Sequence, residues 1–369
     1  MKLSRFILVV AAVVTLSVAG LRRSGQLRAT VPAARPATEQ TTEELLRGFA
    51  SVRPIDVHVH AFSRDDPAFA RLLKELDLHV VNILVVSDEQ GLWQEFATGP
   101  YVERYSHGLD PLRADALAVD RESGGHAVLC TTFDPYQFAD SKFAERAIAQ
   151  LNQDFAAGAV AVKIWKNLGM EIRKPDGSFL MPDDPVLEPI YKDIASHHRT
   201  LIAHVAEPDV CWQPPDPKNP ELAYFRSNPK WYMYLHPDYP SKKALLAAQD
   251  HIVQMHPRLR FVGAHMGCME SNVDLIGERF DRYPNFAVEA GGRLYELMKQ
   301  PREKVLAFLL KYQDRVMYGT DLILPRGADK TVLDQWRRTY ARDWGLFATD
   351  QTFEFEGRRF RGLKLPKRR

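Results

Sequence analysis

Eight short apolar runs, at 54–61, 79–86, 126–133, 159–165, 200–206, 260–266, 285–290 and 316–320, constrain the fold of this chain more than any other feature. Each has the length and residue types of a β-strand. Stretches of helical period fall between many of them, at 68–76, 143–155, 186–196, 242–255, 273–280 and 305–312. Strands that alternate with helices in this way predict an α/β chain, a (β/α)8 TIM barrel. At 369 residues and 45% hydrophobic content the chain can bury such a core as one large domain. Its expected limits are 51–345, with a C-terminal extension over 346–369.

Upstream of the first run the pattern changes. Met1-Lys2-Leu3-Ser4-Arg5 leads into an apolar or small run over 6–21, with Ser17-Val18-Ala19 as small residues for cleavage. This predicts a signal peptide over 1–21. Arg22, Arg23 and Arg28 follow the run, so an uncleaved N-terminal anchor is the second reading. Either way the expected location is outside the cytoplasm, exported or tethered to a membrane. Residues 22–50, rich in Ala, Thr, Pro and Arg, are expected to form a flexible linker until about Thr42.

Lys+Arg number 49 against 47 Asp+Glu, a net charge of +2 that argues for no nucleic-acid partner. The basic end Lys364-Leu365-Pro366-Lys367-Arg368-Arg369 reads as a solvated tail. Cys130, Cys211 and Cys268 are too scattered for a disulfide framework or a thiolate zinc site. They read as core residues, with a place in the pocket wall left open for Cys268.

Within the first run, Pro54-Ile55-Asp56-Val57-His58-Val59-His60, two histidines at i and i+2 share one face of a strand and can bind one cation. Solvation or hydrogen bonding would place histidines there too. Three later runs, however, end in His204, His265 and Asp321. Active sites of barrels form where the C-terminal ends of the strands converge, so these five residues predict a shared metal site. Imidazoles and a carboxylate suit zinc, iron or manganese.

The ordered set Asp56-x-His58-x-His60, His204, Ala264-His265-Met266-Gly267 and Gly319-Thr320-Asp321 resembles the amidohydrolase superfamily over roughly 52–325. The resemblance is to its amidohydrolase-2 branch, which also contains metal-dependent decarboxylases. It implies that His58, His60, His204 and Asp321 hold one divalent ion, zinc ahead of manganese or iron. It also implies that Asp321 and His265 are catalytic. Asp321 would take a proton from water and return it to the leaving group, and His265 would polarise a carbonyl or stabilise an oxyanion. Asp56 either orients the motif or takes part in the chemistry.

Lys163 sits where binuclear members of the superfamily carry a bridging carboxylated lysine; pocket lining is the other reading. Glu207, Glu289 and Arg293 could contact substrate or steady a ligand, or form loop salt bridges. The long segment 207–240, with Trp212, Tyr224, Phe225, Trp231, Tyr232, Tyr234 and Tyr239, suits a lid over an aromatic or sugar-like substrate, or packs onto the barrel. Trp212 is the candidate substrate contact there. Members of the branch end in a helix after Gly-Leu-x-Leu-Pro, whereas here Gly362-Leu363-Lys364-Leu365-Pro366 is followed by only three residues. Residues 330–344 or a neighbouring subunit would then cover that face, or the protein is less stable than its relatives.

These readings predict an exported metal-dependent hydrolase of an amide, lactone or ester, acting on a small molecule. A nonoxidative decarboxylase of an aromatic or enoic acid is the enzymatic alternative. A phosphoesterase or nuclease fits less well, for want of a basic groove. A tethered binding protein without turnover is opposed by the pairing of His265 with Asp321. A homo-oligomer is left open.

Overall fold

The computed structural model describes residues 40–61, 66–86, 109–218, 221–325 and 328–366. The expected signal or anchor over 1–21 and the linker up to residue 39 lie outside the described residues. Among the described residues no helix is long and apolar enough to cross a membrane. The end of the expected linker is corrected: Thr42–Ala50 is a helix. Thr41 and Glu44 cap its start reciprocally, satisfying two otherwise orphaned amides. Leu45, Leu46 and Phe49 bury one face, with Phe49 stacked on Tyr340 at 5.0 Å between ring centroids.

The strands are β1 Ile55–Ala61, β2 His79–Ile83, β3 Ala127–Thr132, β4 Ala161–Ile164, β5 Thr200–Ala203, β6 Arg260–Gly263, β7 Phe286–Glu289, β8 Val316–Met317 and β9 Leu322–Leu324. They form one sheet in the order β8-β7-β6-β5-β4-β3-β2-β1-β9, parallel throughout. Helices follow most strands, including Pro67–Glu75, Phe143–Ala156, Glu188–Ser196, Lys242–Met255, Val273–Arg282 and Arg302–Lys311. This is an α/β fold like that of TIM barrels. Leu129, Val162, Leu201, Phe261 and Val288 are at most 1% exposed, because helices cover one face of the sheet and side chains fill the other. Each such burial contributes about 2 kcal/mol.

Two departures from the expected pattern matter for the site. Several apolar runs outlast their strands by about three residues, because residues such as Val205, Ala206 and Ala264 stay buried after the chain has left the sheet. The last run is interrupted. Val316 and Met317 pair with β7, whereas Leu322–Leu324 pair with β1. Between them Val57 N donates to Tyr318 O at 3.0 Å, and Asp321 N to His58 O at 2.8 Å.

Helix Lys330–Ala348, capped by the Asp329 carboxylate, buries Leu333, Trp336, Tyr340 and Leu346. It lies against the helices at 42–50 and 67–75. Beyond it, β10 Thr352–Phe355 and β11 Arg358–Arg361 form an antiparallel hairpin. Its turn residues Glu356 and Gly357 are both left-handed, at φ 49° and 70°, the conformation that suits the twist of a two-residue hairpin. Arg302 then fastens the chain by donating to the carbonyls of Gly362 and Leu363, each at 3.0 Å.

Candidate metal centre

The period of β1 puts Asp56, His58 and His60 on one side, and all three are buried. Their partners fix the tautomers. A carbonyl or carboxylate oxygen facing an imidazole nitrogen accepts, so that nitrogen carries the proton. His60 Nδ1 donates to Ile83 O at 2.8 Å, and His58 Nδ1 to Glu289 Oε1 at 2.8 Å. With Nδ1 spent on these acceptors, each ring turns Nε2 towards the Asp321 carboxylate, as a lone pair for an ion when the ring is neutral and as a donor to Asp321 when it is protonated. Those two atoms lie 3.3 and 3.2 Å from Asp321 Oδ1. Ligands roughly 2.0–2.1 Å from a tetrahedral ion stand about 3.3 Å apart, the spacing that each Nε2 keeps from Asp321 Oδ1, while among the described residues the group here whose ligand atoms all lie within 4.8 Å of one another is His58, His265 and Asp321, without His60. Burial, with the Lys163 charge beside it, lowers the His58 pKa and keeps the ring neutral, as a ligand must be.

Glu289 organises the centre from behind. It is fully buried at the end of β7 and accepts from His58 Nδ1, from His265 N at 2.7 Å and from Gly291 N at 2.5 Å. Burial alone would raise its pKa, but the His58 ring and its hydrogen bond prevail and hold it at about 2. Of the two roles open to Glu289, steadying a ligand is the one it occupies. A Cβ at position 319 would stand 2.3 Å from Glu289 Oε2, so only glycine fits at Gly319, the first residue of the Gly-Thr-Asp motif.

Asp321 and His265 both have left-handed backbones. His265 is at φ 56°, ψ 49°, within a left-handed run that continues through Met266, Gly267 and Cys268. Asp321 is at φ 63°. Left-handed non-glycine residues cost about 1–2 kcal/mol each, and such strain gathers where function holds a side chain in place. His58, His265 and Asp321 offer ligand atoms within 4.8 Å of one another. His265 Nδ1 donates to Gly291 O at 2.7 Å, which leaves Nε2 unprotonated. Burial lowers its pKa to about 3. At rest it is therefore a proton acceptor or a ligand. The expected oxyanion donor would need a proton that this nitrogen does not carry. Burial opposes ionisation of Asp321, yet His58, His60 and His265 outweigh it and hold the carboxyl well below its usual range.

The other expected residues divide. His204 lines the same cavity and its ring lies 4.2 Å from that of His265. Its Nε2 faces Ala206 O at 3.0 Å, and among the described residues it is not in the converging group of ligand atoms. Lys163 is buried with Nζ 3.5 Å from His58 Nε2, inside the centre. Glu207 and Arg293 reach the cavity, but both are in ion pairs, Glu207 with Lys166 and Arg293 with Glu221 at 3.9 Å. Trp212 does not line it: the turn at Asp209–Trp212 lays the indole against the core, 5.9 Å from Lys242 Nζ. Cys268 is buried and does not line it either. In 207–240, Trp231 and Tyr232 pack inward while Tyr224 and Phe225 face the cavity.

The cavity is about 540 Å³. Part of its wall was not anticipated: Arg342, Phe355 and Glu356 arrive from the C-terminal helix and hairpin. Arg342 stacks on Phe355 at 3.8 Å. The sequence does carry a signal for the hairpin, since Phe353-Glu354-Phe355-Glu356-Gly357 alternates and then breaks at glycine.

Asp56 does not line the cavity and is fully buried. It accepts from His58 N and Thr320 N at 3.1 Å, from Thr320 Oγ at 2.6 Å and from Tyr340 OH at 3.0 Å. It thereby ties β1 to the segment that carries Asp321. Asp56→Asn turns an amide NH2 towards these donors and is expected to cost about 2–3 kcal/mol, read as a lower denaturation midpoint at unchanged m. An unchanged midpoint would show that the network carries no stability.

A family profile described as amidohydrolase matches residues 132–351, more than half of the chain. No curated protein matches it. Among solved structures, a 2,6-dihydroxybenzoate decarboxylase complexed with 2,6-dihydroxybenzoate is 13% identical, covering 78% of this chain and 99% of its own, at a TM-score of 0.43. A 2,6-dihydroxybenzoate decarboxylase from Rhizobium is 14% identical over 78% and 98%, at 0.42. A dihydroorotase from Campylobacter jejuni is 13% identical over 85% and 93%, at 0.39.

Proposed function

The chain belongs to the amidohydrolase family, and from that premise we propose that it is a metal-dependent hydrolase of an amide, lactone or ester of a small organic substrate. The fold in this reading is a closed (β/α)8 barrel in which 316–324 serves as one interrupted eighth strand. The observation that carries the proposal is the convergence of His58 Nε2 and His60 Nε2 on Asp321 Oδ1 at 3.3 and 3.2 Å. These three residues would hold one divalent ion, zinc on the chemistry of the donors, with His265 or His204 completing the set. When bound, the ion supplies Lewis acidity and lowers the pKa of water towards about 7.

The chain's own residues do the rest. Asp321, ionised and a third exposed to the cavity, accepts the proton of the attacking water and passes it to the leaving group. His265 Nε2, unprotonated at rest, orients that water or shares the proton. Lys163 Nζ is the buried donor beside the developing oxyanion. Trp165, Tyr224, Phe225, Tyr295 and Phe355 give the cavity flat apolar walls that suit a ring-sized substrate. Export or tethering through residues 1–21 belongs to the same proposal.

Decarboxylation would use the same centre. It is favoured less because, of the cations lining the cavity, Lys166, Arg293 and Arg342 are already met by Glu207, Glu221 and Asp343, which leaves Lys163 alone for a substrate carboxylate. The test is a metal count by plasma mass spectrometry and a product assay, on the parent protein and a His58→Ala/His60→Ala double variant. The variant is expected to bind one divalent ion fewer and to lose turnover, and the parent to release an acid with an amine or alcohol. Release of carbon dioxide would move the assignment to decarboxylation. Equal metal counts would overturn the centre.

A further inference from the structure

We propose a second divalent-metal site, remote from the cavity, formed by Asp77, His79 and His126 at the N-terminal edge of β2 and β3. The three side chains offer ligand atoms within 4.8 Å of one another. The start of the two strands brings them together: Asp77 lies in the left-handed turn (φ 45°) just before β2, two positions ahead of His79, and Val80 N donates to His126 O at 2.8 Å, which sets His79 beside His126. Their rings lie 4.8 Å apart at 25°, the spacing between the strands themselves.

The donors suit zinc. His126 Nδ1 faces Leu78 O at 2.9 Å and must carry the proton, so Nε2 keeps its lone pair. The His79 ring is half-buried and can turn to bring its own nitrogen to the same point. Two imidazoles and a carboxylate, with a fourth position open to water, match the borderline character of that ion. Asp77 is paired with Arg53 at 3.3 Å, but both groups are well exposed, at 46% and 75%, and such a surface pair holds weakly. The ion takes the place of the Arg53 guanidinium.

An ion there ties β2 to β3 at the end of the sheet opposite the cavity, so its effect is on stability and not on turnover. It also bears on any metal count. Two ions per chain would otherwise suggest a bridge through Lys163.

The test is zinc titration of the full chain by equilibrium dialysis, with thermal unfolding in parallel. The proteins are the parent, His79→Gln/His126→Gln, Asp77→Asn and His58→Ala/His60→Ala. The parent is expected to bind two ions. His79→Gln/His126→Gln should bind one and keep parental activity. Saturating zinc should raise the parent's Tm by a few degrees, and that part of the rise should persist in His58→Ala/His60→Ala but vanish in His79→Gln/His126→Gln. Asp77→Asn, a milder change, should weaken the second ion without removing it. A parent whose bound zinc does not fall by one ion in His79→Gln/His126→Gln, whatever its total, overturns the proposal. Failure at His58 and His60 with success here would count against the catalytic centre alone.

Discussion

Asp321→Asn is expected to lower kcat/KM by about a thousandfold, within the range lost when a proton-transfer group is removed. The amide keeps the size of the side chain but loses both functions of the carboxylate. It carries no charge to balance an ion beside His58 Nε2 and His60 Nε2, and it cannot take a proton from water. Metal content separates the two losses. If the variant keeps its ion and loses turnover, proton transfer is the larger share; if the ion goes too, the Oδ1 contact at 3.2 and 3.3 Å was holding it. Near-parental turnover with the ion retained would remove Asp321 from the mechanism.

Glu289→Leu is expected to destabilise the protein by about 3–5 kcal/mol, since each buried donor left without its acceptor costs about 1–3 kcal/mol. The leucine leaves three buried donors without acceptors: His58 Nδ1–H, His265 N–H and Gly291 N–H. Against a total stability of roughly 5–15 kcal/mol this is a large fraction, and it is read directly as a lower denaturation midpoint. Glu289→Gln keeps one oxygen for His58 and His265 but turns an NH2 towards Gly291 N. Its expected effect is on metal affinity, weaker by about 10–100-fold, because the His58 ring is no longer fixed by a charged partner. The sign with pH follows from the depressed pKa of about 2. The unfolded carboxyl titrates near 4.3, so the Glu289 contribution is fully present above that value and is lost as pH falls from about 4 to 2. A Glu289→Leu protein as stable as the parent, or an acid limb unchanged by the mutation, would show that Glu289 is a passive core residue.

Much of the scaffold was legible because strand and helix periods are local. All eight runs begin within two residues of an observed strand, and 242–255 is helical over its whole length. The helix at Thr42–Ala50 was hidden by the Ala, Thr and Pro composition of the sequence before it, although Thr41 and Glu44 carry its capping signal. Trp212 was misplaced for the opposite reason: an aromatic residue in a long loop gives no indication of which way a 3-10 turn will aim it.

By itself, then, the sequence determined the alternation of strands and helices, and placed His58 and His60 within the first strand and His204, His265 and Asp321 just beyond later ones. Only the tertiary structure decided what those residues can do. Which imidazole nitrogen is unprotonated depends on Ile83 O, Ala206 O, Gly291 O and Glu289 Oε1, and His58 and Glu289 stand 231 positions apart in the chain. The left-handed backbones of His265 and Asp321 and the arrival of the C-terminal hairpin at the cavity are likewise decided by distant contacts. Periodicity follows from the geometry of a few neighbouring residues, whereas a tautomer or a backbone strain is set by whichever atoms the finished fold packs against it.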